Sequence, residues 1–194
     1  DWGIDFIISS ANKCIQGVPG FSFIIARRDK LEESAGKARS LALDLYDQWK
    51  TMEVDGKWRF TSPTHVVLAF SKAMEELKAE GGISARSRRY FDNNRLLIAK
   101  MQEMGIQTYI PLKNQGPIIT TFYYPKQHSF SFQKMYQYIK ERGYAIYPGK
   151  VTTSDTFRVG NIGEIYREDI EKLCEIMREF WRKTGNEKDR GCHF

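Results

Sequence analysis

Three places in the sequence hold side chains whose type and setting could do chemistry. The first is "SSANKCIQGVPGF" (9–21), where a lone lysine, Lys13, stands between small polar residues and a turn containing Gly17, Pro19 and Gly20. A lysine on a tight turn between two apolar strands would lie close to a packed interior. Desolvation there lowers the ammonium pKa and frees the amine as a nucleophile. The other reading is a solvated loop lysine, and the turn by itself does not choose. The second place is "TSPTH" (61–65), where Thr61 and Ser62 precede a proline just ahead of a helical pattern. Hydroxyls and free backbone N–H groups at a helix start suit a phosphate; plain N-capping by Ser62 or Thr64 accounts for the same residues. The third is "DTFRVGNIG" (155–163), which sets Arg158 among apolar residues and glycines in an extended run. Its planar fork is either paired with a core carboxylate or kept for an anionic ligand such as a carboxylate or phosphonate.

The elements that must position these residues can be read from periodicity. "GIDFIIS" and "FSFIIARR" predict two strands flanking the Lys13 turn. From 29 to 52, Leu31, Ala35, Ala38, Leu41, Ala42, Leu45 and Trp49 fall on one stripe and predict a helix, with Asp29 as its cap and a turn at Asp55-Gly56. After the extended "KWRFTSP", a second helix is expected over 64–82, closed by paired glycines. A third runs from Ile83 to Met104 and stops at Gly105. Short β-type runs then follow ("IQTYIP", "PIITTFYYP", "AIYPG", "TFRVGNIG"), with amphipathic helices at 132–143 and 167–185. Strands with helices packing on one face predict a small α+β domain from about residue 88. The expected division is 1–87, 88–185 and a patternless, disordered or foreign tail at 186–194.

Composition excludes several classes. No stretch reaches the ~18 apolar residues of a membrane span. There is no charged-then-apolar leader, although the chain begins "DWGIDF" without Met, inside a predicted strand, and so reads as a piece of a longer one. The net charge of +6 fits small anionic ligands drawn to a positive cleft as well as it fits nucleic acid. In the densest basic run, "RSRRYFDNNR" (86–95), Arg86, Arg89 and Tyr90 fall at helical spacing and predict a solvated helix face rather than a nucleic-acid surface. Cys14, Cys174 and Cys192 are too scattered for a disulfide framework and read as reduced thiols of a cytoplasmic protein. His65, His128 and His193 have no metal-ligand spacing to each other or to a cysteine, so no metal site is assigned.

Taken together, "SSANKCIQGVPGF", "ARSLALDLYDQW", "GKWRFTSPTHVVLAF", "EGGISAR", "IYPGKV" and "FRVGNIG" resemble the 2-aminoethylphosphonate–pyruvate aminotransferases. These are a branch of the class V, fold-type I enzymes that depend on pyridoxal phosphate. The resemblance runs from residue 3 to about 183, with the segments in the family's order. It implies an α/β fold: the end of the large cofactor-binding domain followed by a small α+β domain. Lys13 matches the lysine that holds pyridoxal 5'-phosphate as an imine. Ser10 and Asn12 match polar positions near the cofactor phosphate. Thr61 is similar to the residue that reaches the phosphate of the neighbouring subunit in a homodimer. Arg158 is similar to the arginine that holds the anionic end of the substrate. The implied reaction converts 2-aminoethylphosphonate and pyruvate to phosphonoacetaldehyde and L-alanine, a step of phosphonate degradation in the cytoplasm, with no nucleic-acid or membrane partner.

The family's first half has no counterpart here. The phosphate loop, the aromatic ring over the pyridine and the Asp at its nitrogen are therefore not assigned. The alternatives are another class V aminotransferase, of the alanine–glyoxylate or serine–pyruvate type, and a fragment inactive without its missing half.

Overall fold

Runs of β-branched and aromatic residues set the first pair of strands, β1 (Phe6–Ser10) and β2 (Ser22–Ala26). They pair antiparallel, from Phe6 opposite Ala26 to Ser10 opposite Ser22. Apolar side chains on both faces of this ribbon remain open to solvent, Ile8 and Ile25 most of all at 69% and 61%. This hairpin belongs to the first of two units, Asp1–Ala79 and Glu80–Phe194. The computed structural model describes residues 2–125, 130–149, 151 and 153–186.

The helix expected over 29–52 is two helices, α1 (Arg28–Glu32) and α2 (Leu45–Asp55). After α1, the Ser34 hydroxyl donates to the Leu31 carbonyl at 2.6 Å, and Gly36 takes a left-handed φ of +70° that ends the helical path. The apolar stripe between them has no surface to pack on: Leu41 and Leu43 are more than 70% exposed. Periodicity without a partner did not make a helix. α2 has its own signals. Asp44 caps it by accepting from Asp47 N–H at 3.0 Å, and Gly56 closes it at φ +75°. The last element of this unit, α3 (Thr64–Ala79), follows the "TSP" segment.

The second unit opens with α4 (Gly82–Glu103). Its end is a Schellman motif: Ile106 N–H donates to Met101 O and Gly105 N–H to Gln102 O, both at 2.9 Å, with Gly105 left-handed at +77°. Ile106 and Met101 are both buried, which supplies the motif's apolar contact. A three-stranded antiparallel sheet follows, β3 (Ile119–Tyr123), β4 (Tyr147–Pro148) and β5 (Thr156–Gly160), in the order β3-β5-β4. "IQTYIP" adds only a single bridge, Thr108 to Phe122. α5 (Phe132–Lys140) and α6 (Arg167–Asn186) complete the unit. Phe122, Phe157 and Val159 alternate inward from the sheet to join Leu97, Met135, Ile139, Leu173 and Met177 in one core. The boundary expected at residue 88 lies inside the unbroken α4, because the units divide at Ala79–Glu80. The tail expected from 186 lies, beyond Asn186, outside the described residues.

Arg86, Arg89 and Tyr90 do not form a solvated face of α4. The Arg86 and Arg89 side chains are 5% and 11% exposed and both bind Glu80, each through Nε at 2.8 Å. Arg89 Nη1 also donates to the carbonyls of Gly163 and Ile165, both at 2.8 Å, and Asn93 donates to Ile165 O. Buried Asn161 donates to the carbonyls of Tyr90 and Pro117. The charges are buried because the segment after β5 needs donors for its carbonyls, and α4 provides them.

The hydrogen bond from Arg89, joined by Arg86, holds the Glu80 carboxyl below its usual range against the opposing effect of burial. A carboxylate whose folded pKa is depressed contributes stability above its unfolded pKa, near 4.3, and loses it as pH falls through the folded value. Glu80→Gln is therefore expected to lower stability by roughly 1–3 kcal/mol at pH 7 and by less and less below about pH 4. Urea titrations across that range measure this. A deficit that does not change with pH would show that the carboxylate's charge is not what holds the two arginines.

Candidate functional site

The Lys13 turn is seated by its backbone. Gln16 N–H donates to Lys13 O at 2.8 Å, and Gly17 N–H returns to Ala11 O at 2.9 Å. Gln16 takes a left-handed φ of +65° to close the loop. A Cβ at Gly17 would sit 2.8 Å from Ala11 O, and one at Gly20 would sit 2.8 Å from both methyls of Val66 on α3. Phe21 and Phe23 meet Phe70 of α3 at 5.2 and 5.6 Å between ring centres. The two glycines are thus required by close approach: the loop lies flat on α3 with no room for side chains there.

Lys13 itself is exposed, contrary to the expected closeness to a packed interior. The turn sends Ala11 inward, fully buried, and leaves the side chains of Lys13 and Cys14 on its outer side. Ser10, at the end of β1, and Asn12 are half-buried beside it. One hairpin turn therefore gathers Ser10, Asn12 and Lys13.

Thr61 is exposed and lies three residues before α3. The first turn of that helix is closed by Pro63 O, which accepts from Val66 and Val67 N–H at 3.0 Å. Among the described residues no hydroxyl of Thr61, Ser62 or Thr64 caps the helix. The capping reading is not realised, and these hydroxyls are open to a ligand. The donor set of the first unit fits an aldehyde that carries a phosphate. A primary amine condenses with the aldehyde, and hydroxyls and a side-chain amide donate to the phosphate. Sequence reasoning missed an apolar recess of about 600 Å³ in the same unit, lined by Phe21, Phe23, Trp49, Met52 and Trp58 among others. None of the predicted site residues lines it.

Arg158 lies in the second unit, half-buried in the central strand β5 and on the face opposite the core. Its Nε donates to Pro148 O at 3.1 Å, and its guanidinium carbon stands 5.8 Å from the Tyr147 ring centre. Among the described residues no carboxylate pairs with it, and Nη1 and Nη2 keep no protein partner. Of the two sequence readings, the core ion pair is absent. Gly149 holds this corner together: its N–H donates to Thr156 O at 2.8 Å, and a Cβ there would collide with Thr156 Oγ1 and the Thr156 carbonyl. Gly149→Ala is expected to pry β4 from β5 at a cost of about 1–3 kcal/mol. A thermal melt unchanged from the native one would show that the sheet yields freely at this point.

Among the described residues no group of three His, Cys, Asp or Glu side chains gathers as a metal site, and no helix is long and apolar enough to cross a membrane. Cys14 and Cys174 are free thiols, and burial pushes that of Cys174 up to about 11. His128, Lys150, Cys192 and His193 lie outside the described residues.

No family model matches the chain. It is 57% identical over 187 residues to the 2-aminoethylphosphonate–pyruvate transaminase of Lysinibacillus sphaericus, an alignment covering 96% of this chain and 51% of that protein. Proteins of the same name from Vibrio cholerae and Bacteroides fragilis are 55% and 58% identical, over 94% and 91% of this chain and 50% and 49% of theirs. The chain spans about half the length of the curated relatives it matches. Among solved structures, pyridoxamine–pyruvate aminotransferase from Mesorhizobium loti superposes with a TM-score of 0.80 at 15% identity, over 93% of this chain and 47% of that one. The subgroup IV aspartate aminotransferase of Thermus thermophilus gives 0.78 at 23% identity, over 94% and 50%. The fold is that of about half of a fold-type I aminotransferase.

Proposed function

We propose that the chain is the C-terminal half of a 2-aminoethylphosphonate–pyruvate aminotransferase, with residues 1–79 ending its large domain and 80–185 forming its small one. The observation that carries this is the identity of 55–58% to proteins of that name, joined to the seated Lys13 turn. In this reading Lys13 holds pyridoxal phosphate, with Ser10 and Asn12 near the phosphate and Thr61 reaching the phosphate site of a second copy in a homodimer. The cofactor, when bound, supplies an electron sink for charge developing at the amine-bearing carbon. Lys13, as the base, takes the proton from that carbon and passes it on. Arg158 holds the anionic group of each substrate, the phosphonate of the donor and the carboxylate of pyruvate. One guanidinium thus serves both partners of the exchange.

The test is a donor screen on the complete enzyme, with pyruvate as acceptor and alanine as product. 2-Aminoethylphosphonate is expected to be the best amine donor. Faster turnover with serine, or of alanine with glyoxylate, would move the protein to another class V activity.

A further inference from the structure

We propose that Thr121 is a specificity residue that lets this site tell a phosphonate from a carboxylate; the proposal rests on the placement of Arg158 in the substrate site given above. Arg158 stands directly opposite Thr121 on β3 and Tyr147 on β4. Residues directly opposite on neighbouring strands project to the same face, roughly 5 Å apart at Cβ. The other face is closed by the core residues Phe122 and Phe157, both fully buried. Arg158 is thus flanked by Thr121 on one side and Tyr147 on the other, on the face of β5 away from the core.

The way Arg158 is held decides what it can offer. Its Nε is already given to Pro148 O, so the edge formed by Nε and Nη2 is taken. What remains is the end-on pair Nη1 and Nη2, which engages two oxygens of an anion in one plane. A carboxylate has only those two. A phosphonate has a third, set out of that plane by its tetrahedral phosphorus, and it needs a donor beside the fork rather than in it. Thr121 supplies one. Its side chain is half-buried, and among the described residues its hydroxyl has no hydrogen-bond partner. Branching at Cβ restricts its rotamers, so little freedom is lost when the hydroxyl is engaged. Tyr147 is more than half exposed and lies against the guanidinium as its outer wall.

Thr121→Val removes the hydroxyl at constant shape. In the complete enzyme the KM for 2-aminoethylphosphonate is expected to rise about tenfold, the effect of one hydrogen bond to a charged group. The KM for pyruvate is expected to stay within about twofold, because its carboxylate uses only the fork. Thr121→Ser should restore most of the loss. An equal rise in both KM values, or no rise for the phosphonate, would overturn the proposal.

A second readout needs no turnover. NMR titration of the chain with methylphosphonate and with acetate should show tighter binding of the phosphonate, and Thr121→Val should abolish that preference. If the enzyme ignores 2-aminoethylphosphonate while this preference is present and lost in Thr121→Val, the functional reading fails and the role of Thr121 stands. If the chain shows no such preference, the role of Thr121 falls.

Discussion

Lys13→Ala is expected to lower turnover of the complete enzyme by roughly 10⁴-fold or more, since it removes the group assigned both to hold the cofactor and to move the proton. It should also abolish the visible absorbance of the bound cofactor. The turn itself should survive, because the bonds Gln16 N–H to Lys13 O and Gly17 N–H to Ala11 O are backbone bonds, and the lysine side chain is exposed. Folding and chemistry are thus separable at this position, and a far-ultraviolet spectrum unchanged from the native one would confirm that only chemistry was lost. Borohydride reduction in the presence of pyridoxal phosphate, followed by peptide mapping, identifies the amine directly. The pyridoxyl group is expected on the peptide containing Lys13; finding it on Lys37 or Lys150 instead would overturn the assignment.

Arg158→Lys is the second large effect. A lysine at 158 presents a point charge in place of a planar fork and cannot hold the Pro148 carbonyl and an anion in the same arrangement. The loss of a charged, bidentate contact is on the order of 1.5–3 kcal/mol, or about ten- to a hundredfold in KM. Both 2-aminoethylphosphonate and pyruvate should be affected, because each carries an anionic group that the fork can engage. Arg158 makes no ion pair among the described residues, so the melting temperature should move little. Steady-state kinetics separate the two cases. Unchanged KM values with lowered stability would make Arg158 a structural residue of β5.

What the sequence made legible was what local physics decides. α4 was read to within a residue at both ends because its stop is a local signal, a glycine placed to adopt the left-handed conformation. β5 was legible because Phe157 and Val159 alternate at period two, and the core uses that alternation; β3 was legible as a short run of β-branched and aromatic residues. The helix over 29–52 was misread because a stripe predicts a helix only when something covers it, and coverage is not local. Arg86 and Arg89 were misread for the same reason. Charge density at 86–95 looks solvated until Glu80 and the carbonyls of Gly163 and Ile165 come into reach, the latter more than seventy residues away in the chain. The setting of Lys13 was half legible. The turn and its glycines follow from the sequence, whereas the expected burial of the lysine does not: its side chain is exposed.

The anchoring of the segment after β5 bears on how such a site can change over generations. The chain just beyond Arg158 is tied down from behind, by Arg89 and Asn93 on α4 and by Asn161, and none of these ties involves the face that carries the guanidinium. The reader of the anion and the frame that holds it are built from different residues. Substitutions at Thr121 or Tyr147 can therefore retune which anion is accepted while the frame keeps Arg158 in place. A substitution at Arg89 would shift the whole strand end and affect every ligand alike. Drift in substrate range is thus channelled into two neighbouring strands, while Arg89 and Asn93 of α4 are constrained by the carbonyls they hold.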